Sequence, residues 1–442
     1  MNVVIFLNSL SLGGTEKAAC FWAALLAGRA NNSVQMVALL DGPRRSDPER
    51  FDVSVHVLPE SGIRISTSDK VTELAGAVAS ASVIHAHAPG VPHPGDVLGE
   101  ALRVLGRKIP VVQTNIFGKL ENPKEEAWTD FRLFISWASC VQAARRAGRK
   151  LNLDFFRRQS VAVYPVEDPF KVKCESGNLK PEKDFLVAEA LQLRVALGLQ
   201  PEHVLFGRFS RPEPNKWSPL ALDAFIAALR ENQNIRLLLR EPPQEVAHAI
   251  RVSGFKSQVF ILPATSDPHE LALSQVACDA ILHTSSIGES FGYGLAEPMA
   301  LGKPVITSSV PWHDQAQIEL VRHGECGHIA STVPSMKAAI LRMADDSAWR
   351  VACGKAARKH ILSVADPEDS VDRVELAMRC AIEGRDNPLA EQDVEKAIKT
   401  AEYLDKHQWG HSLDETLCLR SNDTKVRFLR WQRQLRNRLR LR

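Results

Sequence analysis

The sequence predicts an α/β protein made of two doubly wound, Rossmann-like domains facing an interdomain cleft, followed by a helical basic extension. Three observations carry this. Short β-branched apolar runs alternate with longer helix-periodic stretches along most of the chain, the pattern of parallel strands covered by helices on both faces. The runs form two series, separated by a polar break at residues 167–183 rich in Lys, Glu, Pro and Gly, which suits a domain boundary. Turns at the carboxyl ends of several runs lead directly into helical patterns, and open parallel sheets bind ligands at those ends.

In the first series the predicted strands are residues 3–7, 34–40, 53–58, 82–87, 110–114 and 161–164. In the second they are residues 204–209, 235–239, 259–262, 279–283, 304–307 and 327–330. A chain of 442 residues accommodates two domains and further elements. The expected limits are 1–166 for the first domain, 167–190 for a linker, 191–385 for the second domain and 386–442 for a helical basic extension.

Composition excludes several classes. Hydrophobic residues at 45% and charged residues at 24% are ordinary for a soluble globular protein. A net charge of +3 does not by itself call for a nucleic-acid partner, and none is expected. The eight cysteines include no C-x-x-C pair, so neither a zinc site nor a disulfide framework is predicted, and reduced thiols in a cytoplasmic protein are expected. Residues 1–7 are too few for a signal h-region, and no run is long enough to span a bilayer.

The most informative segment is Gly288-Glu289-Ser290-Phe291-Gly292-Tyr293-Gly294-Leu295-Ala296-Glu297-Pro298. It follows a strand-like run, turns on glycines and opens into an apolar-periodic helix ending near Leu301-Gly302. Eight helical steps would place Glu289 and Glu297 about 12 Å apart, roughly the span from the sugar to the ribose of a nucleotide sugar. Backbone N–H groups at a helix N-terminus favour an anion between them. A plain strand–turn–helix connector with two solvated glutamates reads the same residues without function.

Other strand ends carry chemistry as well. Gly207-Arg208-Phe209-Ser210-Arg211-Pro212-Glu213-Pro214-Asn215-Lys216-Trp217 brings two arginines and a lysine to one strand end, which suits a diphosphate: Arg offers a fork of donors and Lys a point charge. A solvated basic turn is the alternative. Gly13 and Gly14 stand before the first helix and allow close backbone approach. The loop matches neither G-x-G-x-x-G nor a P-loop. His85 and His87 lie on one face at the end of the fourth predicted strand, as candidates for work on an acceptor hydroxyl or as structural histidines. With no third ligand cluster beside them, no metal site is expected. Pro311-Trp312-His313-Asp314 follows a later strand as a further candidate for the cleft wall.

Taken in order, these elements resemble the retaining glycosyltransferases of family 4, which have the GT-B fold. The resemblance rests on Gly13-Gly14-Thr15-Glu16, on Gly207-Arg208 through Lys216-Trp217, and on Glu289-x7-Glu297 within Gly-Glu-Ser-Phe-Gly. Residues 300–306, Ala-Leu-Gly-Lys-Pro-Val-Ile, are also similar, and coverage is roughly residues 1–385. The resemblance implies that the second domain binds a nucleotide-diphosphate sugar and the first an acceptor. Glu297 would hold the ribose hydroxyls and Glu289 the donor sugar. Gly288, Ser290, Phe291 and Gly292 would surround the phosphates, and Gly13 and Gly14 would lie on the donor side. Arg208 and Lys216 would neutralise the diphosphate, with Arg211 sharing or replacing Arg208. These cations stand where other enzymes use a metal, so neither metal nor cofactor is expected. The chain departs from the family at Gln113-Thr114-Asn115-Ile116-Phe117-Gly118, where many members place a sugar-positioning histidine. Asn115, His85 and His87 are the candidates for its role.

Residues 424–442 hold eight Lys and Arg interleaved with Val426, Phe428, Leu429, Trp431, Leu435, Leu439 and Leu441. As a helix they would form a basic amphipathic stripe suited to an anionic membrane surface; a solvated interaction tail is the plainer reading. The expected function is therefore transfer of a sugar from a nucleotide sugar to a glycan, lipid-linked or other hydroxyl acceptor, with retention of configuration, in a cytoplasmic protein peripheral to the membrane. A non-catalytic scaffold of the same fold and a nucleotide-sugar epimerase are the alternatives.

Overall fold

The computed structural model of the protein describes residues 1–58, 67–87, 94–120, 126–170, 182–311 and 313–416. The first part of the chain forms β1 (Asn2–Ser9), α1 (Gly14–Ala27), β2 (Ser33–Leu40), α2 (Ser46–Glu49), β3 (Ser54–Val57), α3 (Thr67–Val78), β4 (Val83–His87), α4 (Pro94–Leu105), β5 (Val111–Asn115), β6 (Phe131–Phe134), α5 (Trp137–Arg146) and β7 (Gln159–Val161). After α6 (Glu182–Ala196) come β8 (Val204–Phe209), α7 (Pro219–Leu229), β9 (Ile235–Arg240), α8 (Gln244–Val252), β10 (Val259–Leu262), α9 (Pro268–Ala277), β11 (Ala280–His283), β12 (Gly288–Glu289), α10 (Tyr293–Ala300), β13 (Val305–Thr307), β14 (Asp314–Gln315), α11 (Ala316–Leu320) and β15 (Gly327–Ile329). Four helices close the described chain: α12 (Val333–Asp345), α13 (Ser347–Val364), α14 (Pro367–Glu383) and α15 (Ala390–Thr416).

The described residues pack as two units: Met1–Pro165 with Ala365–Ala401, and Val166–Val364 with residues 402–416. The first unit holds a seven-stranded sheet in the order β3-β2-β1-β4-β5-β6-β7, and the second a six-stranded sheet in the order β10-β9-β8-β11-β13-β15. Every pairing in both is parallel. In each sheet the strand order reverses beside the first strand, between β1 and β4 and between β8 and β11. Such a reversal opens a crevice at the strands' carboxyl ends.

Burial explains why these runs become strands. β4, β5, β6 and β11 are buried at every residue, as expected for sheets covered on both faces. In the first unit Val4, Phe6, Val37, Ile84 and Val111 pack with Leu74, Val78 and Leu98 of α3 and α4. In the second, Phe206, Leu237, Leu239 and Leu282 pack with Phe225 and Leu229 of α7 and with Met336 and Ile340 of α12. Helix starts are satisfied locally. Ser136 and Ser139 form a capping box on α5, Thr332 and Ser335 form one on α12, and the Asp366 side chain accepts from the Glu368 and Asp369 amides of α14.

Most predicted strands stand where expected; besides the two-residue strands β12 and β14, which were not predicted, there are four differences. β6 was not predicted; its four residues, Phe-Arg-Leu-Phe, put Arg132 in a buried position. The strand holds because Arg132 donates to Gln113 at 2.9 Å and to Glu126 at 2.8 Å. The strand predicted at 161–164 lies earlier, at Gln159–Val161. Residues 182–190 of the predicted linker are helical, being part of α6.

The fourth difference concerns Ala365–Ala401, which packs with the first unit rather than with residues 191–364. Its anchor is polar and buried. Asp393, with no exposed surface, accepts from Ser160 Oγ at 2.6 Å, Asn387 Nδ2 at 2.9 Å and Arg373 at 3.0 Å. Trp22 Nε1 donates to Ser370 Oγ at 2.8 Å, and Ser370 Oγ donates to the Val163 carbonyl at 2.6 Å.

α15 supplies helix in the predicted extension; its basic stretch 424–442 lies outside the described residues, as do Cys174, Trp312 and Cys418. Cys20, Cys140, Cys278, Cys326, Cys353 and Cys380 are buried free thiols. Among the described residues no helix is long and apolar enough to cross a membrane.

Candidate active site

The strand-order reversal of the second unit carries a connected cluster of charges. Arg208 stands near the end of β8 and His283 is the last residue of β11; each is 2% exposed. The Arg208 guanidinium donates to His283 Nδ1, to the Lys216 carbonyl, and to the Thr284 carbonyl at 2.6 Å. It also lies over the Trp217 ring, 4.8 Å from the centroid.

A short 3₁₀ turn at Pro214–Lys216 brings Lys216 back towards β12. There Lys216 Nζ donates to Glu289 Oε2 at 2.9 Å, and His283 Nε2 lies 3.1 Å from Oε1 of the same carboxylate. The Glu289 amide donates to Gln317 Oε1 at 3.0 Å, so the backbone beneath the carboxylate is tied as well.

Environment sets the charges. Burial pushes the Glu289 carboxyl up, but the hydrogen bond from His283 and the adjoining Lys216 outweigh it, and the group is held down at about 2. Burial, with Arg208 alongside, pulls His283 down to about 4. Burial draws Arg208 down to about 10 while Glu289 opposes the change. At neutral pH the cluster is therefore carboxylate, neutral imidazole and guanidinium.

The turn after β11 is built around Gly288. Its φ is +66°, and a Cβ there would lie 1.9 Å from the Asp314 carbonyl oxygen. Only glycine lets β12 pair with β14. Ser290 Oγ donates to the Asp314 carboxylate. Phe291 is buried and meets Tyr293 edge-on, with centroids 5.0 Å apart. Gly292, in the left-handed region, caps α10, and the half-buried Glu297 sits in the second turn of that helix. Glu289 lies in β12 and not on the helix, so the all-helical spacing of about 12 Å does not describe the pair.

The three cations predicted at one strand end separate. Arg208 and Lys216 converge on His283 and Glu289, whereas Arg211 is exposed and pairs with Glu213 at 3.1 Å. His313 is exposed and Asp314 is buried in β14.

The remaining predicted residues belong to the first unit. Gly13 is the N-cap of α1 and Gly14 its first residue. His85 and His87 share a face of β4 and have no exposed surface. Their rings are 4.3 Å apart and lie 5.5 Å and 5.4 Å from that of Trp22. His85 Nε2 meets Thr114 Oγ1 at 2.7 Å, while His85 Nδ1 and both ring nitrogens of His87 have no hydrogen-bond partner among the described residues. Burial pulls His85 down to about 3 and His87 well below its usual range. Asn115, 7% exposed, donates to the Lys119 carbonyl at 2.6 Å and accepts from the Lys119 amide at 3.3 Å.

Sequence reasoning missed His283. It had placed the residue at a strand end but given it no role. The available signal was its position six residues before Glu289, at the end of the strand that feeds the glycine turn.

Residues 200–346, which contain the whole cluster, match the family model "Glycosyl transferases group 1". A probable sucrose-phosphate synthase from Thermosipho melanesiensis is 25% identical over 142 residues, covering 31% of this chain and 33% of that protein. The chain thus matches about a third of the length of this curated relative. Among solved structures, Anabaena HepE in complex with UDP and glucose superposes with a TM-score of 0.67 at 18% identity, over 85% of this chain and 98% of that one. A glycosyltransferase from Rickettsia africae gives 0.67 at 12% identity over 86% and 98%. Sucrose-phosphate synthase from Thermosynechococcus elongatus gives 0.65 at 16% identity over 87% and 100%. The chain has the GT-B glycosyltransferase fold, and residues 200–346 of its second unit are similar to the group 1 glycosyl transferases.

Proposed function

We propose that this protein is a GT-B glycosyltransferase of the retaining family 4 type, moving a sugar, here taken as a hexose, from a nucleoside-diphosphate sugar to a hydroxyl acceptor. The observation that carries the reading is the cluster of half-buried Lys216 with buried Glu289, His283 and Arg208 at the strand-order reversal, inside the matched segment. An ionised carboxylate there accepts hydrogen bonds from a sugar, and the adjoining Lys216 ammonium meets a diphosphate. Relatives of this fold described in complex with UDP and glucose, and with UDP-glucose, support a nucleotide sugar as donor.

In this reading Glu297 holds the ribose and Glu289 the sugar. The turn from Gly288 to Gly292 faces the phosphates, with Gly13 and Gly14 on the donor side. Arg208 and Lys216 supply positive charge for the departing diphosphate without a metal, and exposed Arg211 assists. Asn115, His85 and His87 belong to the acceptor side; of these Asn115 retains some exposed surface. The acceptor is a glycan or lipid-linked hydroxyl, and retention at the anomeric carbon is expected. Residues 424–442 hold the cytoplasmic protein at an anionic membrane surface, as part of polysaccharide or glycoconjugate synthesis.

The test is calorimetric titration of UDP, GDP and ADP into wild type and Glu297→Ala. One nucleotide should bind, and the substitution should weaken it about tenfold or more, the scale of a lost hydrogen bond to a charged group. That nucleotide then selects the sugar donors to assay for transfer and for the anomeric configuration of the product. Folded protein that binds none of the three would sink the reading and leave a scaffold.

A further inference from the structure

We propose that His283 is a positioning residue for this transfer: Arg208 holds it in the Nε2–H tautomer, and it in turn holds the Glu289 carboxylate towards the donor sugar. The inference rests on the glycosyltransferase reading above.

The argument begins with donors and acceptors. A guanidinium has only donors, so the His283 nitrogen that meets Arg208, Nδ1, must accept and carries no proton. The ring is then neutral with its proton on Nε2, 3.1 Å from Glu289 Oε1, to which it donates. Arg208 has little freedom to turn away. It is 2% exposed, bonded to the Thr284 and Lys216 carbonyls, and covered by Trp217. The tautomer is therefore set by a group locked in place, just as the partner of the far ring nitrogen sets the tautomer of a metal-ligating histidine.

Donor binding gives this hold its importance. In the structure Glu289 is fixed on both oxygens, by His283 and by Lys216. A diphosphate competes for Lys216, because it presents more negative charge than one carboxylate. As Lys216 turns to the phosphates, His283 is the side chain that still orients Glu289. Each carboxylate oxygen accepts more than one hydrogen bond, so the sugar hydroxyl is received without displacing the imidazole. Beyond the positive charge it lends the site for the diphosphate, Arg208 acts through His283, which accounts for a cation so thoroughly buried there.

Two measurements on the full chain test this. The first is NMR of protein selectively labelled with ¹⁵N-histidine, with the His283 signal identified by its loss in His283→Gln. A neutral Nε2–H ring at pH 7 is expected; an Nδ1–H ring or an imidazolium overturns the proposal whatever the reaction proves to be. The second is steady-state kinetics of two polar variants with the donor selected by nucleotide binding. His283→Asn keeps an acceptor for Arg208 but falls short of Glu289, whereas His283→Gln keeps an N–H within reach of the carboxylate. His283→Asn should lower kcat about 10- to 100-fold, the usual cost of losing a partner that orients a functional ligand. The donor KM should change little, and His283→Gln should recover most of the loss. Equal impairment of both variants, or unchanged kcat in His283→Asn, overturns the role. Absence of transfer by wild type would overturn it together with the glycosyltransferase reading, and the tautomer would separately report whether the Arg208–His283–Glu289 chain exists.

Discussion

At the residue scale, histidines at strand ends meet different fates in the two units. His283 has a charged neighbour on each ring nitrogen, whereas His87 is fully buried with neither nitrogen partnered among the described residues. Burial lowers the pKa of His87 well below its unfolded value of about 6.5. The sign follows from linkage. The unfolded chain gains a proton below that value and the folded one does not, so stability is present above about pH 6.5 and is lost as pH falls. Between pH 8 and pH 5 this one group should cost about 2 kcal/mol. His87→Leu removes the group, so chemical unfolding of the variant should show a smaller acid loss than wild type. Equal losses in both proteins would refute the account. The sequence showed two histidines on one face of a strand but not Trp22 packed against them, because that contact comes from a helix distant along the chain.

At the element scale, the turn that carries Glu289 depends on a two-residue ladder, β12 with β14. Gly288 adopts a left-handed φ directly against the Asp314 backbone. Gly288→Ala should therefore destabilise the protein by about 1–3 kcal/mol through backbone strain alone, with the steric clash adding to that. It should also reduce turnover by moving Glu289; an unchanged unfolding midpoint would refute this picture. The glycine turn and the helix after it were legible in the sequence, since Gly placement and apolar period are local signals. The ladder was not, because two residues carry no period and their partner lies 26 positions away, Gly288 pairing with Asp314. β6 escaped for a related reason: an arginine inside a four-residue strand reads as a break until its partners are known.

For the whole molecule, the two strand series foretold two parallel sheets, and each has the same reversal of strand order. The return of Ala365–Ala401 to the first unit was not foreseen. Its determinant, Asp393 with Ser160, Asn387 and Arg373, joins residues more than two hundred positions apart. The basic stretch 424–442 also belongs to this scale, since membrane attachment would act on the protein as one body. Each Lys or Arg near an anionic surface contributes about 1 kcal/mol. Full-length protein should therefore co-sediment with anionic vesicles, and a chain ending at Asp423 should remain in the supernatant; equal sedimentation of both would end the membrane proposal.

What the sequence determined by itself is the alternation of strands and helices, the division into two series, and the glycine turn with Glu289 and Glu297, because periodicity and turn chemistry act over a few residues. Only the tertiary structure decided that Lys216 meets Glu289 directly and Arg208 meets it through His283 while Arg211 faces solvent, that His85 and His87 pack against Trp22, and that residues 365–401 pack with the first unit. Each of these is settled by hydrogen bonds and burial between segments far apart in the chain, and such contacts leave no local period to read.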